Sequence, residues 1–245
     1  MDKEIENGIR DVRYHGNLKR FESVMKQIEL QPQDELYILG DVVDRFPHGI
    51  EILQRIMETP NVQMLLGNHE YMMLDVVDGP YSLKEFAQRE SYSHRLRVWY
   101  NNGGKVTHEA FKKLTEREQI HIKTYLKGLH LNLNVVVNGV NYRLVHGAPI
   151  EMFDTYGSPK YDAVDEFAVW CRWHPKYPIP DDCIMIFGHT PTIHYQDNNP
   201  MEIWKRKDRI GIDCGAGYSY DDAPGLNCRL ACLRLDDMQV FYSEC

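Results

Sequence analysis

Short apolar runs that end in glycine or histidine recur along this chain, and polar residues follow each of them. Four such runs have the length and flanking residues of buried strands. They lie within residues 35–45, 62–70, 142–149 and 183–192. Residues 17–30 and 48–60 instead carry apolar side chains at the spacing of an amphipathic helix. The alternation predicts an α/β fold with a βαβαβ core.

The remainder of the chain has two different patterns. Residues 79–128 contain helical patches but no strong strand, so we expect a helical insertion that packs on the same core. Residues 209–218 and 228–245 alternate between apolar and polar positions, which predicts antiparallel strands. No linker interrupts these segments, and we expect residues 1–245 to form a single domain.

Composition and charge exclude several classes of function. The chain is 43% hydrophobic and 26% charged, which is ordinary for a soluble globular enzyme. A net charge of −8 gives no general attraction to nucleic acid or to an anionic membrane. The polar start and the lack of a long apolar stretch predict a cytoplasmic protein. Six cysteines without a C-x-x-C pair indicate neither a zinc knuckle nor a disulfide framework.

Side chains that can bind metals follow the predicted strands. They are Asp41, Asn68, His69, His146 and His189. Ligands of open α/β sheets bind beyond the carboxyl ends of the strands, where loops from different strands meet. A single residue of this kind is usually part of a turn or a solvated side chain, but carboxylate, amide and imidazole groups at one edge suit a pair of divalent cations.

Several motifs support a more specific interpretation. They are "GDVVDR" (40–45), "GNHE" (67–70), "NNGGKVT" (101–107), "VHGAP" (145–149) and "FGHTP" (187–191). At these residues the chain resembles the calcineurin-like metallophosphoesterases, specifically the PPP-type, bacterial serine/threonine protein phosphatase-like members. The resemblance covers about residues 15–217, and "GDVVDR" followed by "GNHE" is its most specific part. It implies a β-sandwich of mixed sheets flanked by helices.

The resemblance also implies a site for two divalent metal ions, with Mn²⁺ expected and Fe or Zn as alternatives. Asp41 would bridge both ions, and a hydroxide between them would attack phosphorus in line. Asn68, His146 and His189 would hold the second ion. Asp11 and His15 are the candidates for the first.

Catalytic and substrate-binding roles follow from the same motifs. The resemblance implies that His69 protonates the leaving oxygen and that Asp44 orients His69. Arg45 would bind the phosphate, because a guanidinium pairs with two oxygens at once. Arg172, in "VWCRWHP", is the candidate for a second phosphate-binding arginine.

The N-terminal segment departs from the family pattern. The family has D-x-H-G, whereas this chain has Arg13 where the aspartate belongs and Asp11 four residues before His15. Four residues of extended strand span about 13 Å, too far for both side chains to bind one ion. Either a bulge over residues 12–14 returns Asp11 to the site, or Arg13 replaces one ion's charge, or the segment is damaged. The polar residues 2–8 also fit a central buried strand poorly.

Three functions remain open. The leading hypothesis is a metal-dependent phosphomonoesterase that acts on phosphoserine, phosphothreonine or phosphotyrosine in proteins. The alternative enzyme is a diadenosine polyphosphate hydrolase, since Leu66 stands where eukaryotic-type protein phosphatases carry arginine. Arg13 favours a third hypothesis, a pseudophosphatase that binds phosphorylated partners without hydrolysing them.

Two further segments carry no assigned role. The basic run "WKRKDR" (204–209) is most simply a solvated loop, although it could contact a phosphopeptide. The aromatic run "WCRWHPKY" (170–177) fits a cleft wall and a core equally well.

Overall fold

Two mixed sheets of five strands each form the centre of the protein. The computed structural model describes residues 15–79, 91–158, 160–179 and 182–244 in full, and residues 9–12 as backbone only. In spatial order the first sheet contains β10 (Val240–Tyr242), β9 (Ala231–Arg234), β1 (Ile9–Val12), β2 (Glu35–Ile38) and β3 (Val62–Met64). The second contains β4 (Asn132–Val137), β5 (Val140–Val145), β6 (Ile184–Phe187), β8 (Arg209–Gly211) and β7 (Trp204–Lys205).

Three neighbouring strands run parallel in each sheet. They are β1, β2 and β3 in the first sheet and β5, β6 and β8 in the second. In the first sheet the antiparallel strands β9 and β10 extend the side next to β1, and in the second the antiparallel strands β4 and β7 form the two edges. Parallel inner strands bring their carboxyl ends to one side of each sheet, which is where loops from several strands can meet.

The side chains of β2 show how the two layers pack. Leu36 and Ile38 contact the helical side of the first sheet, whereas Tyr37 belongs to the cluster between the sheets. That cluster joins Tyr37 and Leu233 of the first sheet to residues of β4, β5, β6 and β8, such as Leu144. Because successive strand residues point to opposite faces, the two sheets form a sandwich with helices outside.

Seven labelled helices surround the sandwich in the described part of the chain. They are α1 (Leu18–Ile28), α2 (Gly49–Glu58), α3 (Asn68–Val77), α4 (Tyr92–Asn101), α5 (Lys105–Phe111), α6 (Glu116–Lys127) and α7 (Val164–Trp170). Helices α1 and α2 confirm the amphipathic segments 17–30 and 48–60. The side chain of Asn17 caps α1 by accepting the backbone N–H of Arg20 at 3.2 Å. None of the helices in these ranges is long and apolar enough to cross a membrane.

The insertion predicted over residues 79–128 is helical where it is described. Helices α4, α5 and α6 bury Trp99, Phe111, Ile122 and Leu126 in the same cluster as α1 to α3. Residues 80–90 lie outside the described residues. The insertion therefore extends the main core rather than forming a second one.

One expectation about strands needs correction. We expected residues 209–218 to be antiparallel, but β8 pairs in parallel with β6 and is antiparallel only to β7. The polar residues 2–8, which we expected to fit a central strand poorly, lie outside the described residues, and β1 begins at Ile9 and lies between β9 and β2. Its four residues, Ile9–Val12, follow the polar stretch, and such a short strand can be central without a long apolar run. Among the cysteines, Cys171, Cys214, Cys228 and Cys232 are buried in the structure.

Candidate metal centre

The candidate ligands meet at the carboxyl ends of strands from both sheets. Asp41 follows β2, Asn68 and His69 begin α3 just after β3, and His146 and His189 follow β5 and β6. His15 lies on the segment that leaves β1, where its backbone N–H donates to the carbonyl oxygen of Asp41 at 2.7 Å. All six of these residues are buried. The structure thus brings together residues that span most of the chain.

Asp41 is shared by two groups of ligand atoms. One group is His15, Asp41 and His69, and the other is Asp41, His146 and His189. Within each group the atoms lie within 4.8 Å of one another. A carboxylate that belongs to two such groups can bridge two ions, and imidazole with carboxylate is a donor set that suits borderline divalent cations.

The two histidines of the second group, together with Asn68, are arranged to suit a cation. Nδ1 of His146 lies 2.5 Å from the carbonyl oxygen of Leu39, and Nε2 of His189 lies 3.1 Å from that of Trp170. In each neutral ring the nitrogen that faces the carbonyl oxygen carries the proton, namely Nδ1 of His146 and Nε2 of His189. The remaining nitrogens then face Oδ1 of Asn68 at 3.1 and 2.9 Å. The backbone N–H of Asn68 also donates to Nε2 of His146 at 3.3 Å. One amide oxygen and two ring nitrogens that converge in this way form a donor set that suits a divalent cation.

Asp11, the further candidate ligand for the first ion, is only partly described. Asp11 pairs with Tyr37 and Leu233 in β1, but its side chain, like the residues Arg13 and Tyr14, lies outside the described residues. Pairing in β1 stays regular through Val12. The three explanations for Arg13 therefore remain predictions.

A buried carboxylate holds the loop that carries Asp41. Glu70 accepts backbone N–H groups from Asp41 at 2.8 Å, Val42 at 2.7 Å, Val43 at 3.2 Å and Gly67 at 3.1 Å. Burial and the charge of Asp41 raise the pKa of Glu70 to about 7, while the backbone N–H donors oppose that rise. A Cβ atom on Gly67 would lie 2.4 Å from Oδ1 of Asp41, so this approach requires glycine.

His69 is held by a chain of hydrogen bonds behind it. Its Nδ1 lies 2.7 Å from Oδ2 of Asp44, and the same oxygen accepts the indole N–H of Trp99 at 2.8 Å. The backbone N–H of Asp44 donates to the hydroxyl of Thr107 at 2.9 Å. Asp44 is fully buried. A carboxylate in this position keeps the proton of His69 on Nδ1 and leaves Nε2 as the atom that exchanges a proton.

Both predicted arginines line the same small cavity as the ligands. Its volume is about 60 Å³, and Asp213 and Tyr218 also line it. The Arg45 guanidinium lies 5.4 Å from the ring centroid of Tyr218. Arg172 donates from Nη1 to the carbonyl oxygen of His189 at 3.3 Å. Both arginines are exposed at the rim of the buried cluster, where an anion from solvent can reach them.

Sequence reasoning missed three supporting residues. Glu70 was visible as the last letter of "GNHE" and Thr107 as the last letter of "NNGGKVT", and Trp99 lies two residues before that second segment. Their roles depend on hydrogen bonds to residues 27 to 63 positions away. Such long-range contacts have no periodic signature in a single sequence.

Comparison with known proteins places this arrangement in a family. The sequence model of the calcineurin-like phosphoesterases matches residues 14–214. The chain belongs to this family. A relative from Serratia proteamaculans, a symmetrical bis(5'-nucleosyl)-tetraphosphatase, is 36% identical over 67 residues. That match spans 26% of this chain and only 24% of the relative's own length.

Solved structures share the fold of this calcineurin-like phosphoesterase. A putative diadenosine tetraphosphatase superimposes with a TM-score of 0.63 and 14% identity, covering 99% of this chain and 95% of its own. A protein serine/threonine phosphatase from Saccharomyces cerevisiae gives a TM-score of 0.55 and 14% identity, covering 98% of this chain and 81% of its own. At such identity the likeness establishes the fold and not the substrate.

Proposed function

We propose that this protein hydrolyses a phosphoric ester or anhydride with the help of two divalent metal ions. The observation that carries the proposal is the position of Asp41 in both groups of ligand atoms. Two ions, when bound, lower the pKa of water and neutralise phosphoryl oxygens. The residues that would hold them are His15, Asp41, Asn68, His146 and His189, with Asp11 as a further candidate. Mn²⁺ is the expected metal, with Fe or Zn as alternatives, and a cytoplasmic location remains a prediction.

His69 is proposed as the proton donor to the leaving oxygen. The short contact with Asp44 and the burial of both side chains support this role. His69 also belongs to one of the two ligand groups, so a role as a metal ligand is the competing assignment. The two roles predict a different dependence of the hydrolysis rate on the leaving group.

Arg45 and Arg172 are proposed to bind the phosphoryl oxygens. Their exposure at the cavity rim and their planar guanidinium groups support this, because such groups pair with two oxygens of a phosphate. Pairing that strengthens as charge develops on those oxygens would lower the barrier to reaction.

A nucleoside polyphosphate is the substrate class that we favour. Leu66 is fully buried in the main core, so the arginine expected there in eukaryotic-type protein phosphatases has no counterpart at this position. The name of the Serratia relative supports the same class. A phosphorylated protein is the second candidate, favoured by the exposed arginines that a large substrate could reach. The third candidate, which Arg13 favours, is a protein that binds phosphorylated partners without hydrolysing them.

The test is hydrolysis by the purified protein with Mn²⁺. Diadenosine tetraphosphate, p-nitrophenyl phosphate and a phosphopeptide are compared for wild type, Asp41→Asn and the matched exposed control Asp154→Asn. We expect Asp41→Asn to lose activity by about 10³-fold or more and the control to keep it. Activity of Asp41→Asn near wild type would contradict the proposal. Phosphopeptide binding without turnover of any substrate would support the pseudophosphatase instead.

A further inference from the structure

A second, larger pocket opens beside the metal cavity. Its volume is about 580 Å³, within the range of sites for small organic ligands. The side chains that matter here are Arg172, Trp173, His174, Tyr195, Trp204 and Arg206. All but Tyr195 come from the two segments, 170–177 and 204–209, for which the sequence indicated no function. The fold brings both segments to one place.

The two cavities share a wall. Arg172 lines both of them, and its Nη1 donates to the carbonyl oxygen of His189, one of the candidate ligands. Thr190 lines the larger pocket and directly follows His189. A molecule with one phosphate in the metal cavity can therefore extend past Arg172 into the larger pocket.

Aromatic rings and an arginine form the far side of this pocket. Tyr195 and Trp204 are stacked, with ring centroids 4.9 Å apart and planes inclined by 27°. The guanidinium of Arg206 lies 5.4 Å from the centroid of the Trp204 ring. Trp173 is buried, and its indole N–H has no acceptor among the described residues. Rings and guanidinium planes are the surfaces on which nucleic acid bases stack.

The charge of the pocket is positive although the chain carries −8. Its lining includes Arg172 and Arg206, and no carboxylate within the described residues lines it. Both arginines are exposed to solvent. A planar group with attached phosphates satisfies the aromatic and the cationic parts together, whereas a phosphopeptide side chain uses only the cationic part.

We propose that this pocket binds the nucleoside end of a nucleoside polyphosphate whose reacting phosphate lies in the metal cavity. The proposal deepens the proposed function and rests on it. Arg172 then contacts the phosphate chain between the two cavities, and Arg206 and the aromatic rings select substrates that carry a base.

Selectivity between two substrates tests this subsite. The ratio of kcat/KM for diadenosine tetraphosphate to kcat/KM for p-nitrophenyl phosphate is measured with Mn²⁺ for wild type, Arg206→Ala and the control Lys207→Ala. Lys207 is an exposed neighbour that does not line the pocket. We expect Arg206→Ala to lower the ratio about tenfold, since one stacking contact contributes that much, and Lys207→Ala to leave it unchanged. An unchanged ratio in Arg206→Ala overturns the proposal. A variant that loses activity only towards a phosphopeptide overturns it as well.

Binding of adenosine 5'-monophosphate separates failure of the subsite from failure of the proposed function. Its dissociation constant is measured by tryptophan fluorescence with metal-stripped protein, so no turnover is required. We expect saturable binding that weakens about fivefold or more in Arg206→Ala, not in Lys207→Ala, and ribose 5-phosphate to bind more weakly than the nucleotide. If wild type hydrolyses nothing yet shows this pattern, the subsite stands without the activity. Absence of nucleotide binding overturns the subsite even in an active enzyme.

Discussion

Nδ1 of His69 lies 2.7 Å from Oδ2 of Asp44, and both side chains are buried. This contact fixes which nitrogen of His69 carries a proton towards the interior. It makes Asp44 a positioning residue, because it would act on the reaction only through His69.

The leaving group reveals the role of His69. Phenol is a worse leaving group than p-nitrophenol, so its departure needs more help from a proton donor. We expect His69→Asn to slow phenyl phosphate hydrolysis by about 10²- to 10⁴-fold and p-nitrophenyl phosphate hydrolysis by clearly less. Asp44→Asn should also slow phenyl phosphate hydrolysis more than p-nitrophenyl phosphate hydrolysis, by a smaller factor than His69→Asn. Equal losses for both substrates would assign His69 to the metal ligands instead.

Glu70→Gln tests the support of the loop that carries Asp41. The amide would present N–H groups to backbone N–H donors that now share the two carboxylate oxygens. We expect the free energy of unfolding, measured with urea, to fall by about 2–4 kcal/mol. The control is Glu58→Gln, at the exposed end of α2, which should change it by less than about 0.5 kcal/mol. Similar losses of unfolding free energy in both variants would show that Glu70 does not support the loop that carries Asp41.

The metal-binding part of the site was predictable because it depends on strand ends. Asp41, Asn68, His146 and His189 each follow an apolar run directly, and parallel strands bring such positions together without knowledge of the packing. The helices 17–30 and 48–60 were predictable from their period for the same local reason. The structure shows that these side chains converge, whereas their roles as metal ligands, and the position of the Asp11 side chain, stay predictions.

The supporting parts of the site were not predictable because they depend on contacts between distant segments. Trp99 reaches Asp44 across 55 residues, and its burial in the main core follows from how α4 packs on α3. The pocket around Arg206 needs β7 to lie at the edge of the second sheet beside the segment that follows α7. The parallel pairing of β8 likewise follows from its position beside β6, which alternation of apolar residues cannot reveal.

Gly217→Ala tests the close packing around Arg45, which we propose binds phosphate. A Cβ atom there would lie 2.6 Å from Nη1 of Arg45 and 2.5 Å from Cδ2 of His15. Arg45 must move to accommodate it, so we expect kcat/KM for p-nitrophenyl phosphate to fall on the order of tenfold or more. Gly128→Ala is the matched control, since its nearest neighbouring atom would be 3.4 Å away. A loss no larger than that of the control would mean that Arg45 is not needed in this position.

We expect His108 to make the free energy of unfolding depend on pH below about 6.5, the usual pKa of a histidine in an unfolded chain. Burial, together with the charge of Lys112, lowers the pKa of His108 below its usual value, while Glu109 opposes the shift. Its Nδ1 lies 2.9 Å from the hydroxyl of Tyr100, and its ring contacts Trp99. Because the pKa of His108 is lower in the folded state, its neutral ring contributes stability. That contribution is complete above the unfolded pKa of about 6.5 and is lost as the pH falls through the folded-state value.

Urea unfolding at pH 7.5 and pH 5.5 measures this dependence. We expect wild type to lose more stability between the two pH values than His108→Gln, which has no group that titrates at this position. The same loss in both proteins would show that other groups account for the pH dependence.

Binding of Mn²⁺ to metal-stripped protein tests the central claim most directly. Calorimetry counts the bound ions while the initial rate of p-nitrophenyl phosphate hydrolysis is followed over the same titration. The two groups that share Asp41 predict two ions per chain and a rate that rises to saturation as the second ion binds. Folded protein that binds no ion and shows a flat rate would contradict the account and favour a phosphate-binding protein without catalysis.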